Sequence, residues 1–424
     1  SLPAADATFW KDVQPILQNR CAECHRQGEI GPMPLTSYKE ARPWARSIKE
    51  AVAARKMPPW FADPHYGKFG NDRSLTETEI STLTTWADKG APEGSAKDAP
   101  APRKFNNGWN IDTPDLVLQM PEPFKVPATG QVDYQYIVLP TGFTEDKWVR
   151  MSETRPSDRA VVHHLVVFVR DPNSKWLREA KPGVPFQPAQ AGDPTNIGGG
   201  GNEILAVYTP GIVPDIWKPN QARKIKAGSD LVLQVHYTTK GKATEDQTKV
   251  GLVFAKQPPT ERIYSTQISN SRFTIPPGDA NYEVVGRSRF FNDVKMVSLF
   301  PHMHLRGKDF EYRVIFPNGE SQILLKVPNY NFNWQLAYRP AEDMVLPNGT
   351  RIEVTAHFDN SANNPYNPDP KASVKFGEQS WEEMAIGFID VAIPADVEPR
   401  AWLAPPRPAQ PAPAAEPPAP AAKP

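Results

Sequence analysis

Cys21-Ala22-Glu23-Cys24-His25 places two thiols and an imidazole within five consecutive residues. Cys-x-x-Cys followed directly by His is the signature of covalent c-type haem attachment. Cys21 and Cys24 would carry the thioethers. His25 would be the proximal iron ligand, because tethering the porphyrin on one short turn brings the next side chain under the metal. A disulfide or a redox pair is the other use of this spacing, but a redox pair belongs in a thioredoxin-like βαβ setting that the flanking sequence does not provide. The motif therefore predicts one covalent haem c, and it uses both cysteines of the chain.

The histidines form a second pattern. Six of the eight lie beyond residue 104, and five of those fall in or beside predicted strands, as His163-His164, His236 and His302-Met303-His304. Strand residues two apart share a face, so His302 and His304 can converge on one ion while Met303 points away. Adjacent His163 and His164 would point to opposite faces, so a shared metal requires a bulge or a strand end between them. One such histidine is most simply a satisfied imidazole; two clusters in strands point to metal.

Two different grammars position these groups. Residues 1–100 read as a small all-α domain, with stripes Phe9, Val13, Ile16, Leu17 and then Trp44, Ile48, Val52. A third helix opens on a Thr76/Glu79 capping box, continues through Ile80, Leu83 and Trp86, and ends at Gly90. Three helices around one haem make a cytochrome c-like unit. Its sixth iron ligand is expected to be a thioether from the loop after the middle helix, and Met57 in Met57-Pro58-Pro59-Trp60 is the choice, with Met33 and His65 as competitors.

From residue 104 the pattern changes to short alternating runs between Pro, Gly, Asn and Asp: Tyr134–Leu139, Val161–Val169, Leu231–Tyr237, Val294–Phe300, Phe310–Ile315 and Ile352–Phe358. This predicts antiparallel β-sandwiches. A proline-rich, weakly patterned stretch near 257–276 divides them into two domains, 104–260 and 261–400. Gly198–Gly201 reads as a turn, since no Lys-Ser/Thr follows it as a phosphate loop requires. Residues 401–424 read as a disordered Pro/Ala tail.

Composition excludes other classes. The 48 basic residues balance 48 acidic ones, which leaves no electrostatic footprint for nucleic acid, and no apolar run is long enough for a transmembrane segment. Proline, at 48 residues, is about twice its usual share. Haem c is attached outside the bacterial cytoplasm, so a periplasmic or secreted protein is expected. The start at Ser1, without Met or an apolar leader, fits a mature form after signal-peptide removal.

Four segments then carry a resemblance. Val161-Val162-His163-His164-Leu165-Val166-Val167-Phe168, Leu231-Val232-Leu233-Gln234-Val235-His236-Tyr237, Pro301-His302-Met303-His304-Leu305-Arg306-Gly307 and Glu382-Glu383-Met384 occur in that order. Together they resemble the copper motifs of the ascorbate-dependent copper type II monooxygenases, the family of peptidylglycine α-hydroxylating monooxygenase and dopamine β-monooxygenase. The resemblance spans roughly residues 104–400 and implies two jelly-roll-like sandwiches with one copper each. It implies that His163, His164 and His236 hold an electron-storing copper. It implies that His302, His304 and Met384 hold the copper that binds O2 and carries the catalysis. The donor types agree, since imidazoles serve both copper oxidation states and a soft thioether favours Cu(I).

The departures from that family bear on function. With both cysteines used for haem, no disulfide remains to brace the sandwiches. Where the peptide enzyme grips a substrate carboxylate with Arg, Asn and Tyr, the matching positions here are Phe300, Ile386 and Phe388. An apolar trio cannot pair a carboxylate, so peptide amidation is not expected. His357 has no assigned role and reads as a core or supporting imidazole. No Ser-His-Asp set or carboxylate pair suggests other catalysis. The resulting expectation is a haem–copper monooxygenase that hydroxylates an aliphatic or benzylic C–H of a small molecule, with electrons from a periplasmic donor passing through the fused cytochrome. The alternative is a haem–copper electron-transfer or copper-binding protein without turnover.

Overall fold

The computed structural model describes residues 7–105, 108–187 and 203–406. The Gly198–Gly201 turn and the Pro/Ala tail from 407 lie outside them. Residues 7–105 carry short helices joined by turns. Phe9, Val13, Ile16 and Leu17 are buried along one helical stretch, in which α-helical Gln14–Ile16 is flanked by the wider π turns Phe9–Val13 and Leu17–Cys21. The second π turn ends on the first cysteine; such turns are frequent at functional positions. A second stretch runs Tyr38–Ala41, Arg42–Trp44 and Ala45–Ala53, and it buries Ile48 and Val52. Trp44, expected on the buried stripe, is instead 42% exposed, because it caps the helix from a 3-10 turn. Helix Glu77–Asp88 starts on the expected Thr76/Glu79 capping box, and Gly90 (φ +83°) follows its C-terminus in the left-handed region that favours glycine.

The rest of the chain builds two antiparallel β-sandwiches. In the first, the sheet ordered Gln135–Pro140, Asp230–Tyr237, Val162–Arg170, Glu203–Tyr208 covers Leu116–Gln119, Lys249–Phe254, Lys147–Arg155 and Gln221–Ile225. Ile137, Leu165, Leu233 and Leu252 meet in the core between them. In the second, Tyr282–Arg289, Arg351–Phe358, Gly307–Ile315 and Ser321–Val327 cover Glu261–Ser269, Ile386–Pro394, Val294–His302 and Met344–Leu346. Phe310, Tyr312, Val354 and Ile389 are fully buried there. The stretch expected to be a weakly patterned break contains the nine-residue strand Glu261–Ser269. That strand pairs in parallel with Gln221–Ile225 through Glu261↔Gln221 and Arg262↔Ala222, so one nine-stranded sheet runs through both sandwiches.

The ordered body also extends past 401. Pro399–Leu403 is a helical turn whose Trp402 and Leu403 pack on the second sandwich. Among the described residues no helix is long and apolar enough to cross a membrane.

The helical unit docks on both sandwiches. Glu29 is nearly buried among Arg26 (3.0 Å), Arg155 (3.1 Å) and Arg159, the last two from the first sandwich. On the other side the Asp63 N–H donates to the Lys326 carbonyl and the Gly70 N–H to the Arg339 carbonyl, while Trp60 and Phe69 pack on Tyr338.

Candidate metal and haem sites

The first histidine set depends on a local break in pairing. In the ladder between Val162–Arg170 and Asp230–Tyr237, Val162 faces Tyr237 and His164 faces His236, with the register shifting between Val162 and His164. The bulge leaves His163 unpaired and turns its ring towards the other two, as adjacent ligands require. Ligand atoms of His163, His164 and His236 all lie within 4.8 Å of one another. The Nδ1 atoms of His163 and His164 face each other at 3.1 Å, while His163 Nε2 and His236 Nδ1 are buried without a hydrogen-bond partner. Three buried imidazoles that bring one nitrogen each to within 4.8 Å of the others are what a metal ion would satisfy.

His302 ends the strand Val294–His302, and His304 follows two residues later, with ring centroids 5.1 Å apart. Each ring is oriented through Nδ1. His302 Nδ1–H donates to Gln335 Oε1 (2.7 Å) and His304 Nδ1–H to the Glu382 carbonyl (3.1 Å), which leaves Nε2 as the free ligand atom in both. The Met384 segment is tied to the same place. The Glu383 carboxylate accepts the backbone N–H groups of His304 (2.9 Å) and Arg306 (2.6 Å), which holds the adjoining residue Met384 close to the imidazoles.

Burial pushes all five imidazoles towards the neutral form that binds metal: His163 and His302 down to about 4, His236 to about 3, and His164 and His304 well below the usual range. His357 takes no part. Its ring lies between Asp309 (2.7 Å) and Glu283 (3.5 Å) on the sheet facing away.

The two sets adjoin. His164, His302, His304 and Met384 line one cavity of about 120 Å³, and the His164 and His302 rings are 6.4 Å apart. Ser380 of the second sandwich reaches His236 of the first at 3.4 Å. Phe300, Ile386 and Phe388 wall this chamber; cross-strand pairing sets Phe300 opposite Phe388 and His302 opposite Ile386. The chamber also holds a cation that sequence reading missed. Ser298, four residues and about 13 Å of strand from His302, faces Asp390, which holds the buried guanidinium of Arg223 at 2.8 Å. Arg223 and Asp390 neutralise each other at the far end. Sequence reading also missed Glu378, a chamber carboxyl that burial and the neighbouring Glu382 push up to about 7.

No protein family matches this chain, and no curated protein does. Among solved structures it is similar to the VP2 subviral particle of infectious bursal disease virus, at 10% identity over 70% of this chain and 77% of that one, with a TM-score of 0.18. It is similar to T=1 particles derived from the same virus at 9% identity, over 69% and 72% of the chains, with a TM-score of 0.19. Likenesses at those scores carry no weight for fold or function.

The Cys-x-x-Cys-His motif lines a separate crevice of about 430 Å³, together with Leu17, Ile48, Val52, Met33 and Met57. Burial pushes the Cys21 thiol up to about 12, which is unsuited to thiol exchange near neutrality. His25 Nδ1–H donates to the Met33 carbonyl (3.1 Å), and a side chain on Gly31 would collide with the Cys24 carbonyl and the His25 ring at 2.7 Å. The 31–35 segment is therefore folded behind His25, and Met33 lies on the imidazole's own side. His65 is exposed, bonded to Asp63, and outside the crevice lining. Of the three distal candidates, Met33 and Met57 line the crevice and His65 does not.

Proposed function

We propose that this chain is a haem–copper monooxygenase of the copper type II kind, outside the bacterial cytoplasm, acting on an aliphatic or benzylic C–H with O2. The observation that carries this reading is the convergence of His164, His302, His304 and Met384 on one chamber, with His163 and His236 completing the first set beside it. The cysteine crevice fits a covalent haem between His25 and Met57, and its apolar walls suit a porphyrin. The clustered imidazoles and the free Nε2 atoms fit two coppers, one on His163, His164 and His236 and one on His302, His304 and Met384. Bound there, the coppers would supply oxygen activation and the two one-electron deliveries that C–H hydroxylation takes. Jelly-roll connectivity of the sandwiches belongs to this proposal.

The side chains themselves do the following. Phe300, Phe388 and Ile386 exclude water and orient an apolar group beside His302. The Arg223–Asp390 pair, mutually neutralised, accommodates a hydroxyl or amide at the far end at less cost than a free carboxylate. Glu378 can hold a proton on its carboxyl near neutral pH, within the chamber wall.

The test is reductant-dependent product formation from paired neutral benzylic compounds and peptidyl-glycines, with O2 uptake measured alongside. Preferential hydroxylation of the benzylic set supports the reading, and faster turnover of the peptides contradicts the substrate class. Copper and haem binding with no turnover of either set would leave the electron-transfer alternative.

A further inference from the structure

The segment Asn331–Gln335 touches all three candidate centres. Trp334 and Asn333 line the cysteine crevice with Cys21, Cys24 and His25. Phe332 stacks on the His163 ring, centroids 4.3 Å apart and planes 25° from parallel, and its ring is 6.1 Å from that of His304. Gln335 orients His302.

The segment is also held still. Asn331 Oδ1 accepts the Asn333 N–H (3.0 Å) and its carbonyl accepts the Trp334 N–H (2.9 Å). Thr209 Oγ1–H donates to the Gln335 carbonyl (2.5 Å) from the first sandwich. Trp334 lies against Gly211, where any side chain would meet its indole at 3.0 Å. Two aromatic rings two residues apart, fixed at both ends, shorten the gaps that an electron must cross without requiring the chain to move.

We propose that Trp334 and Phe332 form the electron path from the haem crevice to the first copper site, entering through His163. The proposal rests on the haem–copper reading above. In the step, one electron leaves Fe(II), giving Fe(III), and enters Cu(II), giving Cu(I); no bond forms or breaks and no proton moves. A one-electron carrier protein refills the haem. Trp334 and Phe332 are thus positioning residues, and neither is a metal ligand.

The experiment uses the full chain loaded with haem and Cu(II), under argon and without substrate. A laser pulse on dissolved ruthenium tris-bipyridine, with aniline as the sacrificial donor that consumes the Ru(III) formed, reduces the haem in a burst, and decay of the reduced-haem absorption reports onward transfer. A copper-free sample shows whether copper is the acceptor. Trp334→Leu and Phe332→Leu are each expected to slow the decay by about tenfold, equal to a barrier change of ~1.4 kcal/mol. Phe332→Tyr should restore the rate, and metal content and haem potential should stay unchanged throughout. Because Phe332→Leu removes less volume than Trp334→Leu, it keeps the test available if the tryptophan variant folds poorly. Copper-dependent decay that stays within about twofold in both leucine variants would overturn the path while leaving the haem–copper reading intact. Absence of copper-dependent decay in the unmodified protein would overturn both.

Discussion

His164 of the first sandwich and His302 of the second stand ring to ring, 6.4 Å apart and close to perpendicular. The two ligand sets thus adjoin, with His164 reaching the chamber that His302, His304 and Met384 line. Copper titration of the haem-loaded chain is expected to saturate at two equivalents, and the fully oxidised protein to give an EPR spectrum broadened by magnetic interaction between neighbours. Two sharp, non-interacting signals would contradict the closeness of the two sites.

Removal of the thioether should act on one oxidation state. Met384→Ile is expected to weaken Cu(I) at the second site by about tenfold, ~1.4 kcal/mol, and to leave Cu(II) at the first site unaltered. Competition with a Cu(I)-selective chelator measures this, and equal loss at both sites would show that Met384 is not a ligand of one alone.

Met57→Ala should abolish the Met-to-iron charge-transfer band of the oxidised haem, whereas Met33→Ala should retain it, since Met33 is bonded through its carbonyl to the proximal His25. The reverse result would place Met33 on the distal side.

Acid should destabilise the copper-free protein through the buried imidazoles. His163 titrates at about 4 in the fold against about 6.5 when unfolded, so between these values the unfolded chain binds the extra proton. Stability is therefore present above about pH 6.5 and is lost as the pH falls towards 4, with on the order of 3 kcal/mol at stake from this residue. Urea midpoints across that range should fall with acidification, and less steeply in His163→Gln. An identical slope in that variant would remove His163 as a cause.

Glu29→Gln leaves Arg26, Arg155 and Arg159 without their shared carboxylate at the contact between the helical unit and the first sandwich. A loss of about 3 kcal/mol is expected, since a partly buried charge cluster missing its counter-ion is costly. Denaturant unfolding monitored by haem absorption and by tryptophan fluorescence should show the helical unit detaching first; coincident, unshifted transitions would refute this.

Local chemistry was legible in the sequence where it depended on neighbours along the chain. The need for a bulge followed from His163 and His164 being adjacent, and the Thr76/Glu79 cap from a three-residue spacing. Phe332, Trp334 and Gln335 carried no such signal. Their partners His163, the cysteine crevice and His302 come from three remote segments, and a turn of aromatic and amide residues looks like any other loop. Arg223 was hidden for a related reason. Within Gln221–Ile225 it reads as one more alternating strand residue, and only the junction of the sheets brings it to Asp390. The closeness of His164 to His302 depends on the same junction.

That junction has a mechanical consequence. The parallel pairing of Gln221–Ile225 with Glu261–Ser269 is a splice in a single beam, and the ties Arg223–Asp390, Arg339–Asp215 and Arg262–Glu203 act as rivets along it. Opening the two halves like a book would shear backbone hydrogen bonds and expose paired charges together. A chain with two cysteines, both free and both in the helical unit, thereby gains a substitute for cross-linking between its sandwiches. It also forgoes wide hinge motion, so small molecules must enter through gaps between side chains, and the span between the facing rings is set by the frame more than by whatever occupies it.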